Sequence, residues 1–237
     1  MRFLRQTACR RHSALAGLLL VLALFAAGSA AAAPLRLMAY GDSLTHGYGL
    51  PAGETFPEQL EAALRADGLD VTVINAGNSG ETTAGGRARL DWALADAPDA
   101  VILELGANDG LRGLDPSATY DNLDAILTRL AAEELPVLLA GMLAPPNLGR
   151  EYGDAFNAVF PRLAEKHDVP LYPFFLEGVA MEKELNQTDG IHPNAAGVAE
   201  IVKRIKPHVV RLLEAGGLAG RAPGGAVSGE TQSAESR

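Results

Sequence analysis

Five short apolar runs recur along this chain: Leu35–Tyr40, Val71–Asn75, Ala100–Leu105, Val137–Gly141 and Val169–Phe174. Short, predominantly apolar runs of this kind are those of strands covered on both faces. The segments between them carry apolar residues at helical spacing. Glu54–Ala66 places Phe56, Leu60, Ala63 and Leu64 on one face, and Thr83–Ala95 places Leu90 and Leu94 there, with Trp92 on a flank. Asp115-Pro116 supplies an N-cap and a first-turn proline for a helix running to about Glu133. Glu151–Lys166 is helical in pattern with a kink expected at Pro161, and a last helix runs from near Pro193 to before Gly216, with Ile201, Val202, Ile205, Val209 and Leu212 inward. Alternating β and α elements impose right-handed crossovers and a mostly parallel sheet. The pattern therefore predicts an α/β fold, a three-layer α/β/α sandwich on five strands, with the loops after the strands opening on one edge.

The two ends read differently from this body. Residues 1–33 have the build of a secretory signal: Arg2, Arg5, Arg10 and Arg11, then an apolar stretch Ala14–Ala27, then small residues at Ala30–Ala33. The apolar stretch is short for a membrane span, so no stable membrane anchor is expected. Arg10-Arg11 alone does not make a twin-arginine pattern, which leaves the general export route and a periplasmic or secreted product. Residues 216–237 are rich in Gly, Ser and charged residues without apolar periodicity and read as a disordered tail. The domain is thus expected at 34–215.

Removing 1–33 takes away four arginines and no acid, leaving 16 basic against 29 acidic residues, a net charge of −13. An acidic body lacks the basic footprint of nucleic-acid binding and does not favour anionic lipid. The single cysteine, Cys9, falls inside the signal, so the mature domain has neither thiol chemistry nor a disulfide. No cluster of His and Cys suggests a metal, and no cofactor is expected.

The first apolar run breaks at Gly41-Asp42-Ser43, presenting a hydroxyl where open α/β sheets place their ligands. Ser43 is the candidate nucleophile, although Ser and Asp are also ordinary turn residues. A serine nucleophile needs a base and a group to orient it. His12 lies in the signal. His167 and His208 sit among charged residues of helical segments and read as solvated surface. His46, three residues from Ser43, is awkwardly placed to aim at it. His192, in Thr188-Asp-Gly-Ile-His-Pro-Asn194, has Asp189 three residues before it, close enough for a carboxylate to hold Nδ1 and leave Nε2 for a serine. Oxyanion donors can come from the glycine-rich loop Asn75–Thr82 and from Asn108 in Leu105–Gly113.

Taken in order, Gly41-Asp-Ser-Leu44, Gly80, Gly106-Ala-Asn-Asp109 and Asp189-Gly-Ile-His192 resemble the four blocks of the GDSL/SGNH hydrolases. The resemblance spans roughly Leu35–Leu213 and is strongest to the bacterial periplasmic branch with thioesterase, lysophospholipase and arylesterase activities. It implies a flavodoxin-like fold, with Ser43 as nucleophile, His192 as base and Asp189 orienting it. The Ser43 N–H, the Gly80 N–H and the Asn108 amide would form the oxyanion hole. The reading is a serine hydrolase of carboxylic esters and thioesters, acting on small acyl substrates, lysophospholipids among them, as a monomer. Leu111, Leu114, Met142, Leu143 and Leu148 are the expected apolar rim for an acyl chain. A carbohydrate acetylesterase is the alternative among enzymes. A dinucleotide-binding protein is another, since Gly47-Tyr-Gly-Leu-Pro-Ala52 mimics G-x-G-x-x-A, but Pro51 interrupts that loop and Asn75 stands where a ribose-binding acid is expected. A non-catalytic binding protein is the third.

Overall fold

A computed structural model describes residues 33–219; the expected signal, apart from Ala33, and most of the expected tail lie outside the described residues. Five strands, β1 (Leu35–Gly41), β2 (Val71–Gly77), β3 (Ala100–Glu104), β4 (Val137–Ala140) and β5 (Leu171–Tyr172), form one sheet in the order β2-β1-β3-β4-β5. Every neighbouring pair is parallel. The central strands β3 and β4 are buried at every residue, which is why their sequences show no alternation.

Helices cover both faces. They are α1 (Ser43–His46), α2 (Phe56–Ala66), α3 (Thr83–Leu94), α4 (Ala107–Leu111), α5 (Pro116–Ala132), α6 (Arg150–Asn157), α7 (Val159–His167) and α8 (Ala195–Ala215). Helix α2 packs with α8, α3 with α5, and α5 with α7. Local signals set their starts. Thr55 and Glu58 form a capping box ahead of α2, with the Glu58 carboxylate accepting from the Thr55 N–H at 3.3 Å. Asp115 caps α5 through the Ser117 N–H at 2.9 Å, with Pro116 in the first turn.

The segment expected as one kinked helix, Glu151–Lys166, is two. Helix α6 ends at Asn157 and α7 starts at Val159. Pro161 has no N–H to give to the Asn157 carbonyl four residues back, and its ring crowds that carbonyl, so the break falls one turn before the proline. Strand five is shorter than expected, two residues rather than six. At the C-terminus, Gly216 and Gly217 do not begin the tail. With Gly217 at φ 67°, the Leu218 N–H bonds the Leu213 carbonyl at 2.8 Å and the Gly217 N–H bonds the Glu214 carbonyl at 3.0 Å, which closes α8 and lays Leu218 on the core.

Strand β1 lies between β2 and β3, so the chain leaves β1 in one direction and returns past it to β3. The carboxyl ends of β1 and β3 flank this change of direction, the position where open parallel sheets bind ligands. Gly41 at the end of β1 is in register with Glu104 at the end of β3.

Candidate active site

The turn after β1 is tightly made. Asp42 caps α1 by accepting the Leu44 N–H at 3.0 Å, and Ser43 is the first residue of the helical turn, 9% exposed. Gly41 admits no side chain here: a Cβ would fall 2.1 Å from Thr45 Oγ1 and 2.4 Å from Glu104 Oε2. Following β3, Gly106 adopts φ 120°, a backbone state open to glycine, and sends the chain straight into α4 with Asn108 on its first turn.

The loop carrying His192 is closed on itself. The Gln187 N–H donates to the His192 carbonyl at 2.7 Å, and Asn186 bridges Pro193. Asp189 Oδ1 accepts the Ile191 and His192 N–H groups at 2.9 and 3.1 Å. Asp189 Oδ2 accepts from His192 Nδ1 at 2.7 Å, and the Ser43 hydroxyl reaches His192 Nε2 at 2.9 Å. This network assigns the proton to Nδ1 and leaves Nε2 as the acceptor. Partial burial pushes the Asp189 carboxyl up, but the donors from Ile191 and His192 outweigh it and leave it at about 2, ionised at any working pH.

Asn108 also reaches this turn. Its Nδ2 donates one proton to Asp42 Oδ2 at 3.1 Å; an amide carries two, so the second remains for another acceptor. Gly80, at φ 80° after β2, has its carbonyl held by Arg112 Nη2 at 2.8 Å. Ser43, Asp42 and Asn108, and likewise Ser43, His192 and Asp189, are therefore brought together from segments far apart in sequence.

The other histidines fare differently. His46 donates Nδ1–H to the Gly77 carbonyl at 3.2 Å and its own carbonyl accepts from Asn75 at 3.2 Å, pinning the first loop to the second. His167 is not solvated: its side chain is 12% exposed and bonds Asp124 at 2.7 Å. His208 is half-buried, with its ring 5.0 Å from that of Tyr172, and burial followed by the nearby Arg211 charge lowers its pKa. Both lie on helix faces that meet another element, which a charged sequence neighbourhood conceals.

Of the expected apolar rim, Leu111, Leu114 and Leu143 are exposed and Leu148 is half-buried in the turn Pro146–Leu148. Met142 is corrected: it is 2% exposed and belongs to the core. The Gly141 N–H still bonds the Tyr172 carbonyl at 2.8 Å, so strand-like pairing continues past β4 and turns the next side chain inward.

Sequence reasoning missed the support beneath the turn. Glu104 is fully buried; its Oε2 accepts from Thr45 Oγ1 at 2.7 Å and from the Asp42 N–H at 3.3 Å, while Oε1 has no partner. Burial, and then the neighbouring Asp42 charge, raise its pKa well above the usual carboxylate range. Burial likewise raises that of Asp42. Both Asp42 oxygens accept N–H donors, whereas Glu104 Oε1 accepts none, so the proton of this pair belongs on Glu104. An acid inside an otherwise apolar run was the available signal. Arg89 is the second omission. It pairs with Glu81, donates to the Gly41 and Ala76 carbonyls at 3.0 and 2.9 Å, and lies 4.1 Å over the Tyr40 ring. It thereby ties the ends of β1 and β2.

A parallel α/β sheet with a Ser–His–Asp hydrogen-bonded chain at its switch point is the arrangement of a serine hydrolase. The model of the GDSL-like lipase/acylhydrolase family matches residues 39–199, and the chain belongs to that family. It is 39% identical over 197 residues to an arylesterase of Vibrio mimicus, covering 83% of this chain and 98% of that protein. It is 42% identical over 165 residues to thioesterase 1/protease 1/lysophospholipase L1 of Escherichia coli K12, covering 69% and 78%. Among solved structures, AlinE4, an SGNH-hydrolase family esterase, is 47% identical and superposes with a TM-score of 0.65, covering 76% of this chain and 97% of that one. The protein is an enzyme acting on ester bonds.

Proposed function

We propose that this protein is an exported esterase that cleaves carboxylic esters and thioesters through an acyl-enzyme on Ser43. The observation that carries the reading is the unbroken chain from Asp189 to His192 Nδ1 and from His192 Nε2 to Ser43 Oγ, at 2.7 and 2.9 Å. Ser43 Oγ attacks the acyl carbonyl as His192 Nε2 takes its proton. The imidazolium, held by ionised Asp189, returns the proton to the departing alcohol or thiol, and water then cleaves the acyl-enzyme by the same route.

The oxyanion formed in each step is received by the Ser43 N–H, the Gly80 N–H and the free proton of the Asn108 amide. The first N–H of a helix has no intrahelical acceptor, which favours Ser43 at the start of α1 as one donor. Leu111, Leu114, Leu143 and Leu148 supply the apolar contacts for the acyl chain, lysophospholipid chains included. Export rests on the arginine-then-apolar pattern of residues 1–33. Among the described residues no helix is long and apolar enough to cross a membrane.

The test is direct. Ser43→Ala abolishes hydrolysis of p-nitrophenyl esters and acyl-CoA thioesters while thermal unfolding stays two-state and unshifted, and an organophosphonate modifies Ser43 alone. Modification of another residue, or an active Ala variant, refutes the assignment.

A further inference from the structure

The loop Gly47-Tyr48-Gly49, which mimics a nucleotide-binding turn in the sequence, serves another purpose. Gly47 and Gly49 adopt φ 86° and 75°, and between them the Tyr48 ring is laid against the His192 imidazole, with centroids 4.8 Å apart and planes at 41°. Its backbone is clamped from both sides. The Tyr48 N–H donates to the Ser43 carbonyl at 3.1 Å, and its carbonyl accepts from Gln187 Nε2 at 2.7 Å. The same Nε2 donates to the Pro193 carbonyl at 3.0 Å, next to His192. Tyr48 is thus fixed to the nucleophile residue, to the loop of the base and to the base itself. Yet it is 52% exposed, so much of its surface is open.

In ester cleavage the leaving group departs on the side of the imidazole, because it takes its proton there. A side chain packed on that imidazole stands at the leaving-group end of the substrate, while the acyl chain extends away from it. An open aromatic ring offers offset or edge-on contact to another planar ring and only ordinary apolar contact to an alkyl group. We propose that Tyr48 forms the leaving-group subsite and that it selects esters of aromatic alcohols over aliphatic ones carrying the same acyl group. This rests on the reading of His192 as the acid that protonates the leaving group.

The experiment compares 2-naphthyl acetate with 2,2,2-trifluoroethyl acetate, an activated alkyl ester. Both yield the same acyl-enzyme, so the ratio of their kcat/KM values isolates the leaving group. Tyr48→Leu keeps an apolar cover on His192 but removes the ring, and lowers that ratio by roughly 2- to 12-fold, the worth of one aromatic contact. Tyr48→Phe preserves the ratio, and Tyr48→Trp preserves or raises it. The ratio of 2-naphthyl acetate to 2-naphthyl butyrate, which varies the acyl side, does not change. Equal losses on both acetates in Tyr48→Leu would mean that the ring merely supports His192, and would overturn the proposal. So would a Phe variant that loses selectivity as Leu does. If Leu fails to fold, the Phe and Trp ratios decide alone: a ratio that falls in Trp refutes the subsite. Ser43→Ala, assayed on both acetates, separates the two readings. An active Ala variant sinks the acyl-enzyme itself, whereas an inactive one with an unmoved Tyr48→Leu ratio sinks only the subsite.

Discussion

Replacing Glu104 separates two ways in which a buried acid can hold a nucleophile turn. If Glu104 is protonated, as the unpartnered Oε1 and the adjacent Asp42 carboxylate indicate, then Glu104→Gln is nearly isosteric and isoelectronic. The glutamine oxygen takes over the Thr45 hydroxyl and the Asp42 N–H, and stability changes by no more than ~1 kcal/mol, the range of a conservative change at a neutral site. Glu104→Ala instead strands both donors in a fully buried place and opens a cavity. A buried unsatisfied donor costs about 1–3 kcal/mol, and the Thr45 hydroxyl can rotate to limit its share. The expected loss is about 2–5 kcal/mol, which for a domain of this size lowers Tm by roughly 5–15 °C. Because the stranded groups belong to Asp42 and Thr45, on either side of Ser43, kcat falls in Ala and not in Gln.

The pH dependence carries the sign. A carboxyl whose pKa is higher folded than unfolded contributes stability that is complete below its unfolded value, ~4.3, and that is lost as pH rises through the folded value. Glutamine has no such loss. Thermal melts of wild type, Gln and Ala at pH 5 and pH 8, with kcat/KM on an aryl ester, therefore show the Gln variant gaining on wild type as pH rises. Gln as damaging as Ala, or a wild-type advantage that grows with pH, would mean that Glu104 is ionised and that its charge holds the turn.

Two further substitutions test the chemistry itself. Asp189→Asn leaves the loop folded, since an amide oxygen can still accept the Ile191 and His192 N–H groups, but it no longer holds the imidazolium; kcat falls by orders of magnitude, about 10⁴ where the same change has been made in a serine protease, and near-wild-type activity would require another group to orient His192. Asn108→Ala lowers kcat by roughly 10²–10³ with KM changed much less, because the oxyanion exists only after attack; Asn108→Asp does no better, since it sets a negative charge beside Asp42 and the developing oxyanion, and an Ala variant that loses Tm but keeps kcat would reduce Asn108 to a tether for Asp42.

The legible parts of the fold are those written locally. Apolar runs mark all five strand positions, most plainly β3 and β4, which are buried at every residue, while β2 at the sheet edge buries only Val71 and Val73; Asp115-Pro116 marks the start of α5 to the residue. What escaped was decided by prolines and by partners distant in sequence. Val169–Phe174 reads as a six-residue strand, yet only Leu171–Tyr172 is in register with β4, because Pro170 and Pro173 on either side have no N–H to donate to the ladder. The break at Asn157 depends on a proline four residues on, so the expected kink was displaced by one turn. His167 looks solvated until Asp124 of α5 is placed across from it.

The site divides along the same line. Ser43, His192 and Asp189 each sit beside a recognisable turn signal, so spacing alone brought two of them together and the sheet edge supplied the third. Glu104 and Tyr48 have no such signal of their own. One reads as the odd acid in an apolar strand and the other as the spacer in a glycine-rich loop, and each gains a role only from the fold. Glu104 is opposite Gly41 because β1 and β3 are neighbours, although β2 intervenes in the sequence. Tyr48 is against His192 because the loop after β1 and the loop before α8 meet at the same edge. Both residues act through the crossing of the chain at β1, the one feature that a local reading can infer only as topology and cannot resolve to atoms. The proposed nucleophile, base and orienting acid are thus marked by their neighbours in sequence, whereas Glu104 and Tyr48 are marked only by partners that the fold brings near.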